Sequence, residues 1–234
     1  MLAAMADGSW ITLAEAGGRR FAAYRAAPAR EAGAAILLFH DMFGIGAPFR
    51  DLAARYAADG HHVLVPNLFW RSDPDGVLPY DGGHERGWKR LEAFDFDHAV
   101  EDVRRALAAL REISGARRVA AVGFCFSGVV SYLAAARAGV DAAASFYALG
   151  ISRYAGEAAR IACPVQLHYG LADESVPRAE IDAVAAAVAA NPRIETFLYP
   201  GAGHSFFNPV RPAYDAEASA LASARVAAMI ARLS

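Results

Sequence analysis

Along the chain, short apolar runs of strand length alternate with stretches whose apolar positions recur at helical spacing. The strand-length runs fall at Ala34 to Phe39, Val63 to Val65, Val119 to Val122, Ala142 to Phe146, Val165 to Tyr169 and Ile194 to Tyr199. Between the first two, Pro48 to Asp59 reads as a helix, because proline suits a first helical position and Gly60 suits the residue just past a helix end. A second helix is predicted over Phe94 to Ile113, where Val100, Val103, Leu107 and Leu110 share one face and Gly115 stops it. Alanine-rich helical sequence such as Ala183 to Ala190 fills later gaps. Ahead of this rhythm, Trp10 to Leu13 and Arg20 to Tyr24 flank Gly17-Gly18 and predict an antiparallel hairpin. Asn67 to Gly87, with Pro74, Pro79 and four glycines, predicts a long surface excursion with little regular structure.

The pattern implies one α/β domain over residues 1–234, with a mostly parallel central sheet, helices on both faces, an N-terminal antiparallel hairpin and no large cap domain. In such sheets ligands bind beyond the carboxyl ends of the strands.

Composition narrows this picture. Hydrophobic residues are 56% of the chain and charged ones 21%, a balance that folds and buries a core. The net charge is −2 and the 23 Lys and Arg residues are scattered, which argues against a nucleic-acid partner. Met1 to Asp7 lacks a basic start followed by an apolar run, so a cytoplasmic location is expected. Val119 to Ala136 is apolar enough to suggest a membrane span, yet Gly123, Ser127, Gly128, Ser131 and Tyr132 interrupt it, and a buried strand followed by a buried helix explains it better. Two cysteines, Cys125 and Cys163, make no disulfide framework.

Chemistry collects at the strand ends. Val119 to Val122 runs into Gly123-Phe124-Cys125-Phe126-Ser127-Gly128, and the apolar run resumes at once as a helix. A sharp strand-to-helix turn flanked by small residues is a nucleophile elbow, and it places Cys125 at a helix N-terminus, where the partial positive charge favours a thiolate. A buried cysteine can equally be a small hydrophobe. The next strand ends decide between the two: Asp173 follows Val165 to Tyr169, and His204 follows Ile194 to Tyr199. Asp173 alone would read as a capping acid and His204 alone as a turn residue. Nucleophile, acid and histidine in that order, each just past a strand, match the chain order of α/β-hydrolases. The weaker candidates carry less. Cys163 precedes a strand and reads as packing, His61-His62 has no third ligand at metal spacing, and His168 reads as a satisfied strand residue.

Phe39-His40-Asp41-Met42-Phe43-Gly44, Gly123 to Gly128, Gly170 to Pro177 and Gly203-His204-Ser205-Phe206 together resemble the dienelactone hydrolases (carboxymethylenebutenolidases), in register from about Ala34 to the C-terminus. The resemblance implies an α/β-hydrolase fold. It also implies a triad of Cys125, His204 and Asp173 that opens a lactone of aromatic degradation through a thioester, with no metal and no organic cofactor. It further implies an oxyanion hole of the Met42 and Phe126 backbone N–H groups; His40, which closes the third strand, reads as hydrogen-bonding in support of that loop rather than as a base. Four positions depart from the family. Asp41 stands where a glutamate helps control the thiol's ionisation, and Ser127 stands where glycine is usual. His84 and Asn208 occupy the places of two arginines that hold the substrate carboxylate; Arg86 or Arg211 lies close enough in sequence to substitute. Phe43, Trp70, Trp88, Phe124 and Phe206 could line an apolar pocket. The expected partner is a small-molecule ester or lactone, with no membrane, and the assembly is a monomer or small homo-oligomer. Two other readings stand beside the lactonase: a general carboxylesterase or thioesterase for neutral or aromatic esters, and a catalytically silent homologue that binds a small molecule.

Overall fold

A computed structural model describes residues 8–31, 33–74 and 76–233; Met1 to Asp7, on which the targeting expectation rests, lie outside that range. The chain divides into two compact units, one reaching Val119 and the other spanning Ala120–Leu233.

The first unit carries β1 (Gly8–Ala16), β2 (Arg19–Ala26), β3 (Ala35–Phe39), α1 (Ala47–Ala58), β4 (Val63–Pro66), α2 (His84–Glu92) and α3 (Phe96–Ser114). Its strands lie in the order β1-β2-β4-β3. The hairpin is antiparallel, β2 pairs antiparallel with β4, and β3 runs parallel to β4. Gly17 and Gly18 both have positive φ, which lets a two-residue turn follow the strands' twist. Helix α1 has Pro48 in its first turn and buries Phe49, Leu52, Ala53 and Ala57. Helix α3 starts two residues later than the apolar spacing predicts, because the Asp95 carboxylate accepts from the N–H groups of Asp97 and His98 and caps it there.

The second unit takes in β5 (Val119–Phe124), α4 (Phe126–Leu133), β6 (Ala142–Phe146), β7 (Val165–Gly170), α5 (Arg178–Val188), β8 (Ile194–Tyr199) and α6 (Ala216–Ala231). Its strands are all parallel, in the order β5-β6-β7-β8. Strands β5, β6 and β7 are buried along their whole length, as continuous apolar runs require. The apolar stretch from Val119 resolves into β5 and α4, and among the described residues no helix is long and apolar enough to cross a membrane.

Two elements escape the pattern reading. Helix α2 lies partly inside the segment predicted as irregular; its sequence is almost wholly polar and it buries only Gly87 and Arg90, so it has no apolar stripe to announce it. Ile151–Arg160 forms short 3-10 turns kinked at Tyr154, too irregular for a 3.6-residue period.

Candidate active site

Strand β5 ends at Phe124 and α4 begins at Phe126, so the chain reverses direction at Cys125, whose φ of 59° and ψ of −127° are strained for any residue with a side chain. Such a conformation costs on the order of 1–3 kcal/mol and persists only where neighbours hold it. Here the Cys125 N–H donates to Phe146 O (3.0 Å) and the Cys125 carbonyl accepts from Gly128 N (3.0 Å). The Ser127 hydroxyl adds two bonds across the turn, accepting from Phe124 N and donating to Phe124 O, each at 2.9 Å. Serine at this position therefore fits the tight turn and ties it. The flanking glycines leave no such latitude: a Cβ at Gly123 would stand 2.0 Å from Ser127 O, and one at Gly128 would stand 2.7 Å from both Ala148 Cβ and Ser145 Oγ.

Asp173 lies in the loop after β7 with its side chain only 1% exposed. Oδ1 accepts from the N–H groups of Ser175 (2.7 Å) and Val176 (3.1 Å), and Oδ2 accepts from His204 Nδ1 at 2.9 Å. His204, in the loop after β8, lies near enough to Cys125 for the sulfur to raise the ring's pKa. Imidazole and carboxylate thus form a hydrogen-bonded pair near the sulfur, inside the second unit. Tyr147 sets its ring against the imidazole at 5.0 Å and 61°, from a backbone with φ of 40° just past β6. Its place after a strand end was the one signal in the sequence that could have singled it out.

Burial of His204 disfavours a charged ring, and the hydrogen bonds to Asp173 and Cys125, reinforced by their charges, override that and raise its pKa from 6.5 to about 10. Since the folded value is the higher one, protonation stabilises the fold in full below about pH 6.5, and the contribution declines with rising pH and is lost through about 10. Urea midpoints of wild type and His204→Gln should therefore converge between about pH 7 and about pH 10. A gap that stays constant over that range would remove the raised value.

Other predicted residues of this unit are structural. Phe206 is fully buried against Tyr199, Tyr147 and Phe146, and Phe124 stacks on Phe146 at 4.7 Å and meets Phe207. Both belong to an aromatic core rather than a pocket wall. The Asn208 carboxamide oxygen accepts from Val210 N (3.2 Å) and closes its own turn. His168 is buried and held neutral, its pKa lowered by burial to about 3; Nδ1 meets the Tyr199 hydroxyl at 2.7 Å, while Nε2 has no hydrogen-bond partner among the described residues. Burial pushes the Cys163 thiol up to about 11, which suits packing and not nucleophilic chemistry.

In the first unit, the loop after β3 holds Asp41, Met42 and Phe43. The Asp41 carboxylate accepts from Phe43 N (2.9 Å) and from the Tyr80 hydroxyl (3.1 Å). Phe43 packs on Tyr80 at 4.5 Å and on His84 at 5.1 Å. His40 is buried, which lowers its pKa to about 4 and keeps the ring neutral: Nδ1 donates to Asp41 O (2.7 Å) and Nε2 accepts from Leu68 N (3.1 Å). The Arg86 guanidinium is engaged by Asp73, with Nε 2.8 Å from Oδ2. Trp70 is core, its indole N–H donating to Asp102 (2.8 Å), whereas Trp88 is 53% exposed. Tyr80 and Arg90 gave no sequence signal, one lying in a loop and the other in a polar helix. Among the described residues, no three His, Cys, Asp or Glu side chains are grouped to hold a metal ion.

Residues 21–234 match the model of the dienelactone hydrolase family. A carboxymethylenebutenolidase of Pseudomonas putida is 29% identical over 218 residues, covering 92% of each chain. A protein of Azospirillum brasilense assigned as a carboxymethylenebutenolidase is 33% identical over 215 residues, covering 89% of this chain and 91% of its own. Among solved structures, a protein of Klebsiella pneumoniae assigned as a dienelactone hydrolase superposes with a TM-score of 0.82 at 24% identity, covering 97% of this chain and 98% of its own.

Proposed function

This chain belongs to the dienelactone hydrolase family of α/β-hydrolases, which act on ester and lactone bonds, and from that membership we propose that it works through Cys125 as nucleophile, His204 as proton carrier and Asp173 as the group that holds His204. The observation that carries this reading is the His204–Asp173 hydrogen bond at 2.9 Å together with the closeness of Cys125 to the same ring, which helps raise its pKa.

The Cys125 thiolate attacks the carbonyl carbon, and the oxyanion is stabilised by the Phe126 backbone N–H at the start of α4. Collapse of the adduct breaks the carbon–oxygen bond, and the departing alkoxide takes the proton carried by His204. A thioester remains. Sulfur no longer bears charge at that stage, so one of the influences that raise the His204 pKa disappears and the ring becomes a base. It removes a proton from water, the hydroxide attacks the thioester, and Cys125 leaves as thiolate beside a protonated His204.

The substrate class is the second part of the proposal. His84 and Asn208 stand at the family's two arginine positions, and Arg86 is occupied by Asp73. These features favour an ester or lactone without a carboxylate. Acid-quenched enzyme from a reaction with p-nitrophenyl acetate should carry one acetyl group on the peptide containing Cys125. Turnover without that adduct would sink the nucleophile, and faster cleavage of a dienelactone than of neutral aryl esters would sink the substrate class.

A further inference from the structure

Where β6 ends, a single peptide group is clamped from both sides. The Phe146 carbonyl accepts from Cys125 N–H (3.0 Å), and Tyr147 N–H, across the same peptide bond, donates to His168 O on β7 (2.8 Å). From this anchor the chain leaves the strand through Tyr147 at φ 40°, a left-handed conformation that is strained for a residue with a side chain. The buried Tyr147 ring meets the His204 imidazole with 5.0 Å between centroids and 61° between planes. Phe206 at 5.5 Å and Phe124 at 6.1 Å confine the same ring, so it has little room to swing. The bond from His204 Nδ1 to Asp173 Oδ2 fixes one point of the imidazole. A ring held at one atom can still tilt about that bond, and a second contact is needed to fix its plane.

We propose that Tyr147 is a positioning residue: tied to the backbone of Cys125 through the Phe146–Tyr147 peptide, its ring sets the plane of His204 in the orientation that serves the sulfur. The inference rests on the thioester mechanism above and adds the constraint that Asp173 alone does not supply. An edge-to-face contact belongs to the aromatic ring, so phenylalanine should keep it and an aliphatic side chain should not. A tilted imidazole misdirects the proton it takes from water during deacylation. The sulfur itself, attacking a reagent that needs no proton transfer, should react as before.

The test compares Tyr147→Leu and Tyr147→Phe with wild type. Rapid quench with intact-mass detection, after limiting p-nitrophenyl acetate, follows the acetyl-enzyme as it forms and decays. In parallel, iodoacetamide alkylates Cys125 at about pH 10, above the ordinary thiol pKa of about 8.5. In Tyr147→Leu the decay of the acetyl-enzyme should slow on the order of 10-fold, within the roughly 10²-fold that an ångström of misplacement can cost. Alkylation of that variant should proceed at the wild-type rate. Tyr147→Phe should stay within about twofold of wild type in both assays, because it keeps the ring. Wild-type decay in folded Tyr147→Leu overturns the proposal, and so does an equal loss of decay and alkylation, which marks general loosening. A loss in Tyr147→Phe as large as in Tyr147→Leu also overturns it, since the effect then belongs to the hydroxyl. Should Tyr147→Leu not fold, Tyr147→Met decides by the same criteria. Acetyl-enzyme formation by Cys125→Ala would instead overturn the underlying mechanism, a result that no Tyr147 variant can mimic.

Discussion

Cys125→Ala will lower kcat/KM for p-nitrophenyl ester hydrolysis on the order of 10⁶-fold, because it removes the proposed nucleophile that His204 and Asp173 serve. The substitution should leave the elbow in place. Cys125 is held through its backbone, by Phe146 O and Gly128 N, and alanine carries no more strain at φ 59° than cysteine does. Loss of rate at an unchanged melting temperature is therefore the expected pair of results. The variant should also lower the His204 pKa, since the hydrogen bond and charge of Cys125 are among the causes that raise it. A variant that keeps activity within tenfold of wild type would remove Cys125 from the reaction.

Asp173→Asn should cost on the order of 10⁴ in kcat through the tautomer of His204. Two backbone N–H groups, from Ser175 and Val176, donate to Oδ1, so the carbonyl of an asparagine must occupy that side. Its amide NH2 then faces His204 Nδ1, which has to turn a lone pair toward it and carry its proton on Nε2. Such a ring cannot accept a proton there. Removing the carboxylate charge also deletes one of the influences that keep the ring protonated. Steady-state kcat measured from about pH 6 to about pH 10 tests this, and a variant within tenfold of wild type at every pH would show that Asp173 only caps its own loop.

The elbow was readable before any coordinates because it is local. A strand run, Gly123 and Ser127 two residues to either side of Cys125 and an immediate helix follow one another in the chain, and the close approach of Gly123 to Ser127 keeps the turn tight. Helix α2 was not readable, since its stability comes from Gly87 and Arg90 facing other segments and not from an apolar face of its own. Arg90 shows the limit most clearly. In the sequence, Lys89-Arg90 looks like a solvated pair; in the fold, Lys89 pairs with Glu85 at the surface while Arg90 points inward to Met42 O and Asp73. Phe206 and Phe124 mark the converse, aromatic residues beside a reactive loop whose rings are taken up by neighbouring rings.

By itself the sequence determined the alternation of parallel strands and helices, the strained turn at Cys125 and the placing of Asp173 and His204 just past strands, because each follows from periodicity or from backbone sterics over a few residues. Only the tertiary structure decided that His204 lies 2.9 Å from Asp173 and near enough to Cys125 to feel its charge, and that one of two adjacent cations is buried. Those outcomes depend on loops separated by tens of residues meeting in space, and on the dielectric they meet in, neither of which is encoded at any single stretch of chain.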